Sequence, residues 1–336
     1  MKAIVQRRYG GPETLEVAEI DPPAVGPGDV LVRVRAAAVD AGVRHLMTGT
    51  PWLIRPVMGW RRPRQPVPGI DAAGVVEAVG ADVTDLRPGD AVAGGVRGAY
   101  AELCVARRKH WARIPDGVSF EQAAAVPTSG ATALIAVRDA AGLPASAAPR
   151  PAPGSEPRTG PAPRVLITGA GSGVGSYAVQ LATAAGAVVT GVCRPQKVDL
   201  VRSLGADQVV GYEYLAGTRN RYDAVIDIAG NTDLRGLRRL VTPTGVAVLV
   251  GGEGKGGLFG GFDRQLRALF VSPFVSARLK PLTVVTRAAD VEHLLGLVGR
   301  GRLRPVIDRT FGLGEVADAL AATWTGAAAG KVLIRM

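Results

Sequence analysis

A short apolar run that ends in a cluster of glycines constrains the fold of this chain most. The run Val165–Thr168 is rich in β-branched residues, Gly169–Gly175 carries four glycines, and an apolar helical pattern follows from Val174 to Ala185. Glycines let a backbone approach a pyrophosphate closely, and a helix N-terminus offers free N–H groups to the anion. The pattern therefore predicts a dinucleotide site, with a purely structural turn as the alternative. Its predicted contacts are Gly171, Ser172, Gly173, Val174 and Gly175.

Three further strand patterns follow the glycine cluster along the chain. They are Ala187–Cys193, Tyr222–Asp227 and Val246–Val250, and helical patterns separate them. Strands that alternate with helices form a parallel sheet with helices on both faces. The sequence therefore predicts an α/β fold with a doubly wound Rossmann domain.

The residues after the second of these strands indicate which dinucleotide binds. An enzyme that uses NAD carries an acidic residue there, about 20 residues after the glycines, for the ribose 2′-hydroxyl. This chain has Arg194 and Lys197 instead, and its first acid beyond them is Asp199. Cationic side chains suit a 2′-phosphate, so we predict NADPH rather than NADH. An exposed basic loop without a ligand is the alternative.

The segment Thr168–Gly175 also fits the TGxxxGxG pattern of short-chain dehydrogenases. Those enzymes need a tyrosine with a lysine four residues later, and none of the six tyrosines has one. Their dinucleotide unit also opens the chain, whereas this one begins near residue 164. We therefore reject that class.

Composition and charge limit the remaining classes of function. A net charge of +11 raises the question of nucleic acid, but the basic residues form only short clusters such as Arg61–Arg64 and Arg107–Lys109, without a known nucleic-acid-binding motif. A basic surface that attracts an anionic cofactor is favoured. The two cysteines are not in a CxxC pair, which indicates a reducing compartment. The segment Met1–Gln6 is typical of a strand rather than of a signal peptide, and no apolar run is long enough for a membrane span, so we predict a cytoplasmic protein.

The regions around the Rossmann pattern have a different character. Residues 1–128 contain many short strand patterns separated by turns, which is typical of a barrel-like β domain. Residues 144–163 hold seven of the 24 prolines and are predicted to be an inserted loop. The predicted domains are 1–128 together with 280–336, and 129–279.

Several separate motifs together resemble one known family. The motifs are Tyr9–Glu13, Pro68–Val76, Arg87–Val92, Gly169–Ala182, Leu204–Asp207 and Gly330–Val332. In these segments the chain resembles the medium-chain dehydrogenase/reductase superfamily, and more narrowly its zinc-free, quinone-oxidoreductase-like branch. The resemblance implies a GroES-like β-barrel catalytic domain, a Rossmann domain and a homodimer.

Residue types at the positions of the metal ligands argue against zinc. Relatives that use zinc carry Cys where this chain has Asp40, and Gly-His-Glu where it has Gly69-Ile70-Asp71. Isoleucine cannot ligate a metal, the four-cysteine lobe is missing, and the three histidines are far apart in sequence. Without a Lewis acid the substrate must accept hydride easily, as a quinone or an α,β-unsaturated carbonyl does.

The resemblance also implies roles for single residues. His45 could donate a proton to the substrate, whereas the role of Asp40 is open because a carboxylate donates only when protonated. The alternatives are alcohol dehydrogenase or enoyl-thioester reductase activity, or a non-catalytic protein that senses NADPH or binds nucleic acid. The further implied cofactor contacts are Thr132, Tyr212, Val250, Gly251, Gly252, Phe274 and Lys331.

Overall fold

The chain divides into two compact units in the computed structural model. One unit comprises Met1–Ala131 and Val285–Met336, and the other comprises Thr132–Val284. The structure describes residues 1–52, 55–144, 161–251, 264–265, 267–268 and 278–336. Most of the proline-rich segment predicted as a loop, residues 145–160, lies outside these ranges.

The first unit is built on a seven-stranded sheet in which the order is β14-β15-β3-β4-β5-β7 and β6 also pairs with β3. The strands β1 and β2 form a separate antiparallel pair. The strands are β1 (Lys2–Gln6), β2 (Leu15–Glu19), β3 (Asp29–Val39), β4 (Asp71–Val79), β5 (Ala91–Gly95), β6 (Leu103–Arg107), β7 (Trp111–Arg113), β14 (Ile307–Gly312) and β15 (Lys331–Arg335). The helices are α1 (Ala41–Thr48), α2 (Arg55–Met58), α3 (Phe120–Ala124), α9 (Ala288–Gly299) and α10 (Val316–Trp324).

Burial on both faces explains why β3 lies inside this sheet, since Leu31 and Ala36–Val39 are buried as well as the alternate valines. Val30, Val32 and Val34 are buried in the core of the unit, together with Trp111 and Tyr100. The C-terminal strand β15 pairs antiparallel with the end of β3. The two ends of the chain therefore form one sheet.

The second unit contains a six-stranded, all-parallel sheet in the order β10-β9-β8-β11-β12-β13. The doubly wound α/β prediction is confirmed, although the sequence patterns had missed the two short edge strands. The strands are β8 (Arg164–Thr168), β9 (Val188–Val192), β10 (Gln208–Val210), β11 (Tyr222–Asp227), β12 (Val241–Leu249) and β13 (Arg278–Pro281). The helices are α5 (Gly173–Ala184), α6 (Val198–Ser203), α7 (Tyr214–Gly217) and α8 (Leu234–Leu240), and α4 (Pro127–Leu134) contains the division between the units.

The strand order fixes where a ligand can bind on this sheet. The chain runs outward from β8 to β10 and then restarts on the other side of β8 at β11. Ligands of such sheets bind beyond the carboxyl ends of the strands, where the order reverses. That point lies between Thr168, which ends β8, and Asp227, which ends β11. No helix within the described ranges is long and apolar enough to cross a membrane.

Candidate dinucleotide site and buried charge cluster

The glycine cluster forms the tight turn between β8 and α5. Gly169 has a φ of +66°, which favours glycine, and a Cβ atom on Gly175 would lie 2.1 Å from the Gly169 carbonyl oxygen. Ser172 caps α5, because its Oγ accepts a hydrogen bond of 3.1 Å from the backbone N–H of Gly175. The predicted contacts Gly171–Gly175 therefore lie in the turn and the first turn of the helix.

The predicted basic residues lie beside this turn. A Cβ atom on Gly171 would lie 2.8 Å from the Lys197 side chain, which is buried in spite of its charge. Burial raises the pKa of Tyr212, and the backbone amide of Gly169 and the charge of Arg194 act in the opposite direction. The structure thus brings Arg194, Lys197 and Tyr212 to one end of the sheet, next to the glycines.

The buried Asp227 accepts hydrogen bonds from residues at the ends of the neighbouring strands. The Thr168 hydroxyl donates to Asp227 Oδ1 at 2.6 Å, and Arg264 forms an ion pair with the same carboxylate. The backbone amides of Val250 and Gly251 both donate to the Asp227 carbonyl oxygen at 3.1 Å. Two predicted contacts are thereby placed at the carboxyl edge, whereas Gly252 and Phe274 lie outside the described residues. Thr132 is buried in α4.

A second group of functional side chains is buried in the first unit. The Lys331 ammonium lies 2.5 Å from Asp40 Oδ1, 3.1 Å from Ser129 Oγ and 3.9 Å from Asp71 Oδ2. The Ser129 hydroxyl donates to Asp40 at 2.8 Å, and the Thr128 hydroxyl donates to Asp71 at 2.6 Å. We call these five residues the charge cluster. Its ammonium group is held by Asp40 and Ser129, and the predicted contact of Lys331 with the cofactor stays a prediction.

The environment shifts the pKa values of the two carboxyl groups of the charge cluster in opposite directions. Burial raises the pKa of Asp71 well above its ordinary value, and the charge of Asp40 raises it further. Burial also raises the pKa of Asp40, but the Lys331 charge and hydrogen bonds from Asp71, Lys331 and Ser129 outweigh it and lower that pKa. We therefore predict that the two carboxyl groups share one proton, which Asp71 carries.

The substitution Asp71→Asn tests this assignment. The folded protein raises the pKa of Asp71, so the stability that Asp71 contributes is present below its ordinary pKa of about 4 and is lost as the pH rises. Each pH unit up to the folded pKa costs about 1.4 kcal/mol for one carboxyl group. Asparagine keeps an acceptor for Thr128, offers a donor to Asp40 and has no such loss. We therefore expect the free energy of unfolding of Asp71→Asn to rise relative to that of the wild type as the pH increases from 4 to 7.

Urea unfolding at several pH values measures this difference. An exposed aspartate in the same unit, Asp116→Asn, is the matched control and should follow the wild-type pH dependence. If Asp71→Asn lost stability relative to the wild type as the pH rose, Asp71 would be ionised and paired with Lys331, and the shared proton would be disproved.

His45 lies in α1, five residues after Asp40. Its Nδ1 is 3.0 Å from the carbonyl oxygen of Thr50, which can only accept, so Nδ1 carries a hydrogen. The other ring nitrogen can then donate only when the ring is fully protonated. The proposed role of His45 as a proton donor stays a prediction.

Asp71, Ser129, Thr128 and Asp227 were not among the predicted site residues. Asp71 is the first residue of an apolar strand and Asp227 is the last residue of another. An acidic residue next to an apolar run is a signal that the sequence offers. Ser129 and Thr128 gave no comparable signal, since they are small hydroxyl residues at the start of a helix.

Comparison with known families matches most of the chain. Residues 26–116 match the alcohol dehydrogenase GroES-like domain, and residues 204–334 match the zinc-binding dehydrogenase family. A doubly wound sheet with this turn, in one chain with a GroES-like domain, defines an NAD(P)H-dependent oxidoreductase.

Individual relatives narrow the class. The chloroplastic quinone-oxidoreductase QR1 of Triphysaria versicolor is 31% identical over 99% of this chain and 98% of its own length. The trans-enoyl reductase pgmF of Aspergillus terreus is 30% identical over 93% of this chain and 87% of its own length. The structure of the quinone oxidoreductase from Coxiella burnetii superposes with a TM-score of 0.82 at 25% identity, covering 100% and 99% of the two chains. The chain belongs to the medium-chain dehydrogenase/reductase family, in its quinone-oxidoreductase-like branch.

Proposed function

We propose that this protein transfers hydride from NADPH to a quinone or an α,β-unsaturated carbonyl, without zinc. The observation that carries the proposal is the turn Gly169–Gly175, capped by Ser172, with Arg194 and Lys197 beside it. When bound, NADPH supplies the hydride. The residues of this chain bind its phosphates, orient its ring and exclude water.

The preference for NADPH rests on charge at the end of β9. Backbone N–H groups at the start of α5 suit the pyrophosphate of the cofactor. Arg194 can form two parallel hydrogen bonds to a 2′-phosphate, whereas no acidic residue stands where a ribose hydroxyl would need one.

The charge cluster does not suit a zinc ion. The cation beside Asp40 is the Lys331 ammonium, at 2.5 Å, and the residue before Asp71 is an isoleucine, which has no ligand atom. Within the described ranges, no group of three or more His, Cys, Asp or Glu side chains is placed to hold a metal ion. These residues therefore do not fit a zinc ion.

Chemistry and the names of the relatives support the proposed substrate class. A carbonyl without a Lewis acid is a poor hydride acceptor, while a quinone or an enone stabilises the added charge by conjugation. A quinone oxidoreductase and a trans-enoyl reductase are both among the similar proteins. Alcohol dehydrogenation is the second candidate, favoured by the family match of residues 26–116.

The first experiment follows the absorbance of reduced nicotinamide after a simple quinone or a 2-alkenal is added to the purified protein with NADPH. We expect turnover with at least one acceptor, unchanged by a zinc chelator. NADPH binding without turnover of either, together with oxidation of an alcohol by NADP, would replace the proposal by the second candidate.

Location and assembly are part of the same proposal. We place the protein in the cytoplasm because Cys104 and Cys193 are both buried and unpaired, as a reducing compartment allows. We also propose a homodimer, which size-exclusion chromatography with light scattering measures. Cell fractionation tests the location.

A further inference from the structure

Four arginines line a cavity of about 450 Å³ in the second unit, away from the glycine turn. Arg221 immediately precedes β11, and Arg235, Arg238 and Arg239 lie on α8. Val241, Thr242 and Pro243 at the start of β12 complete the lining. The cavity is therefore at the amino ends of β11 and β12, whereas the dinucleotide turn is at the carboxyl end of β8. The two sites therefore lie at opposite ends of the strands of one sheet.

The four arginines of this cavity are exposed, and within the described part of the chain they form no ion pair with an acidic side chain. Arg235, Arg238 and Arg239 share one face of α8, because positions three and four apart on a helix are neighbours. The dipole of α8 puts only about half a negative charge at its end, far less than these arginines carry.

One contact fixes part of the cavity wall. Arg221 Nη1 donates to the Val241 carbonyl oxygen at 3.1 Å, which holds that guanidinium beside the start of β12.

We infer that this cavity binds a small compound that carries two or more phosphate groups. Guanidinium groups pair with phosphate oxygens through two parallel hydrogen bonds, and four of them around one cavity match several negative charges. The volume falls in the range of small-ligand sites, about 300–1,000 Å³. A concave shape of this size favours a compact polyanion over a flat partner surface. This site goes beyond the proposed hydride transfer and does not depend on it.

Calorimetric titration of the whole protein with inorganic tripolyphosphate tests the inference. The test variant is Arg235→Gln/Arg238→Gln, and the matched control is Arg61→Gln/Arg62→Gln, which removes the same charge from exposed positions of the other unit. We expect the test variant to weaken binding at least about tenfold and the control to change it less than about twofold. Absence of binding by the wild-type protein, or equal weakening in both variants, would overturn the site.

Two further arms separate this site from other occupants. Saturating NADPH should leave the affinity for tripolyphosphate unchanged, because the cavity lies at the other edge of the sheet; displacement would assign the binding to the dinucleotide turn. Arg221→Gln should weaken tripolyphosphate at least about threefold, and unchanged affinity would contradict the site. A single-stranded DNA oligonucleotide that bound more tightly than tripolyphosphate, and only with intact Arg235 and Arg238, would replace the inference by a nucleic-acid surface.

Discussion

Replacing Lys331 by methionine is expected to lower the free energy of unfolding by about 3–5 kcal/mol. The Lys331 ammonium is almost fully buried and is the cation of the charge cluster, in contact with Asp40 and Ser129. Methionine has a similar length, so the loss comes from charge rather than from an empty volume. Asp40 would then be a buried carboxylate without a cation, and it must take up a proton or bear the full cost of burial.

Urea unfolding at neutral pH measures this loss. The control Lys2→Met changes a lysine that also opens a strand of the first unit but is exposed, and we expect a change within about 0.5 kcal/mol. The double variant Lys331→Met/Asp40→Asn removes both members of the pair and should recover a large part of the stability, because no unpaired charge remains. A small loss of unfolding free energy in Lys331→Met, or no recovery of it in the double variant, would show that the Lys331–Asp40 pair does not stabilise the fold.

The charge cluster also marks the limit of what the sequence could predict. Lys331 and Asp40 are 291 residues apart, and they meet because β15 pairs with β3. No local pattern carries that pairing. Asp40 was singled out only by resemblance to a family, and that resemblance did not indicate that Asp40 pairs with Lys331. A buried acid can be predicted from its apolar neighbours, but its partner depends on strand pairing between distant parts of the chain.

The turn Gly169–Gly175 could be predicted because the constraints on its backbone come from residues that are close together in sequence. Gly169 is required because its φ is positive, and Gly175 because a Cβ atom there would lie 2.1 Å from the Gly169 carbonyl oxygen. Both constraints arise within seven residues of sequence. The edge strands were missed for the converse reason. Gln208–Val210 and Arg278–Pro281 are short, and neither is a sustained apolar run, so their strand conformation comes from pairing with β9 and β12.

The family resemblance and the residue chemistry contributed different parts of the interpretation. Strand and helix patterns, together with the order of the motifs, indicated the two-part fold, which the family matches bear out. Residue chemistry was needed for the preference between two dinucleotides, since both bind the same turn. That preference rests on Arg194, whose effect can be measured separately from that of the fold.

Substitution of Arg194 by glutamine is expected to weaken NADPH binding by about 10- to 100-fold and to leave NADH binding within about twofold. A hydrogen bond to a charged group contributes about 1.5–3 kcal/mol, and only NADPH carries the 2′-phosphate that this guanidinium would bind. Arg202→Gln is the matched control, because Arg202 is an exposed arginine of the same unit, on α6. Titration of each variant with both cofactors, followed by nicotinamide fluorescence, gives the four dissociation constants.

Equal weakening of NADPH and NADH binding in Arg194→Gln would mean that this arginine contacts the part that the two cofactors share. A wild-type protein that bound both cofactors equally would remove the basis for NADPH preference, while the dinucleotide turn itself would still stand.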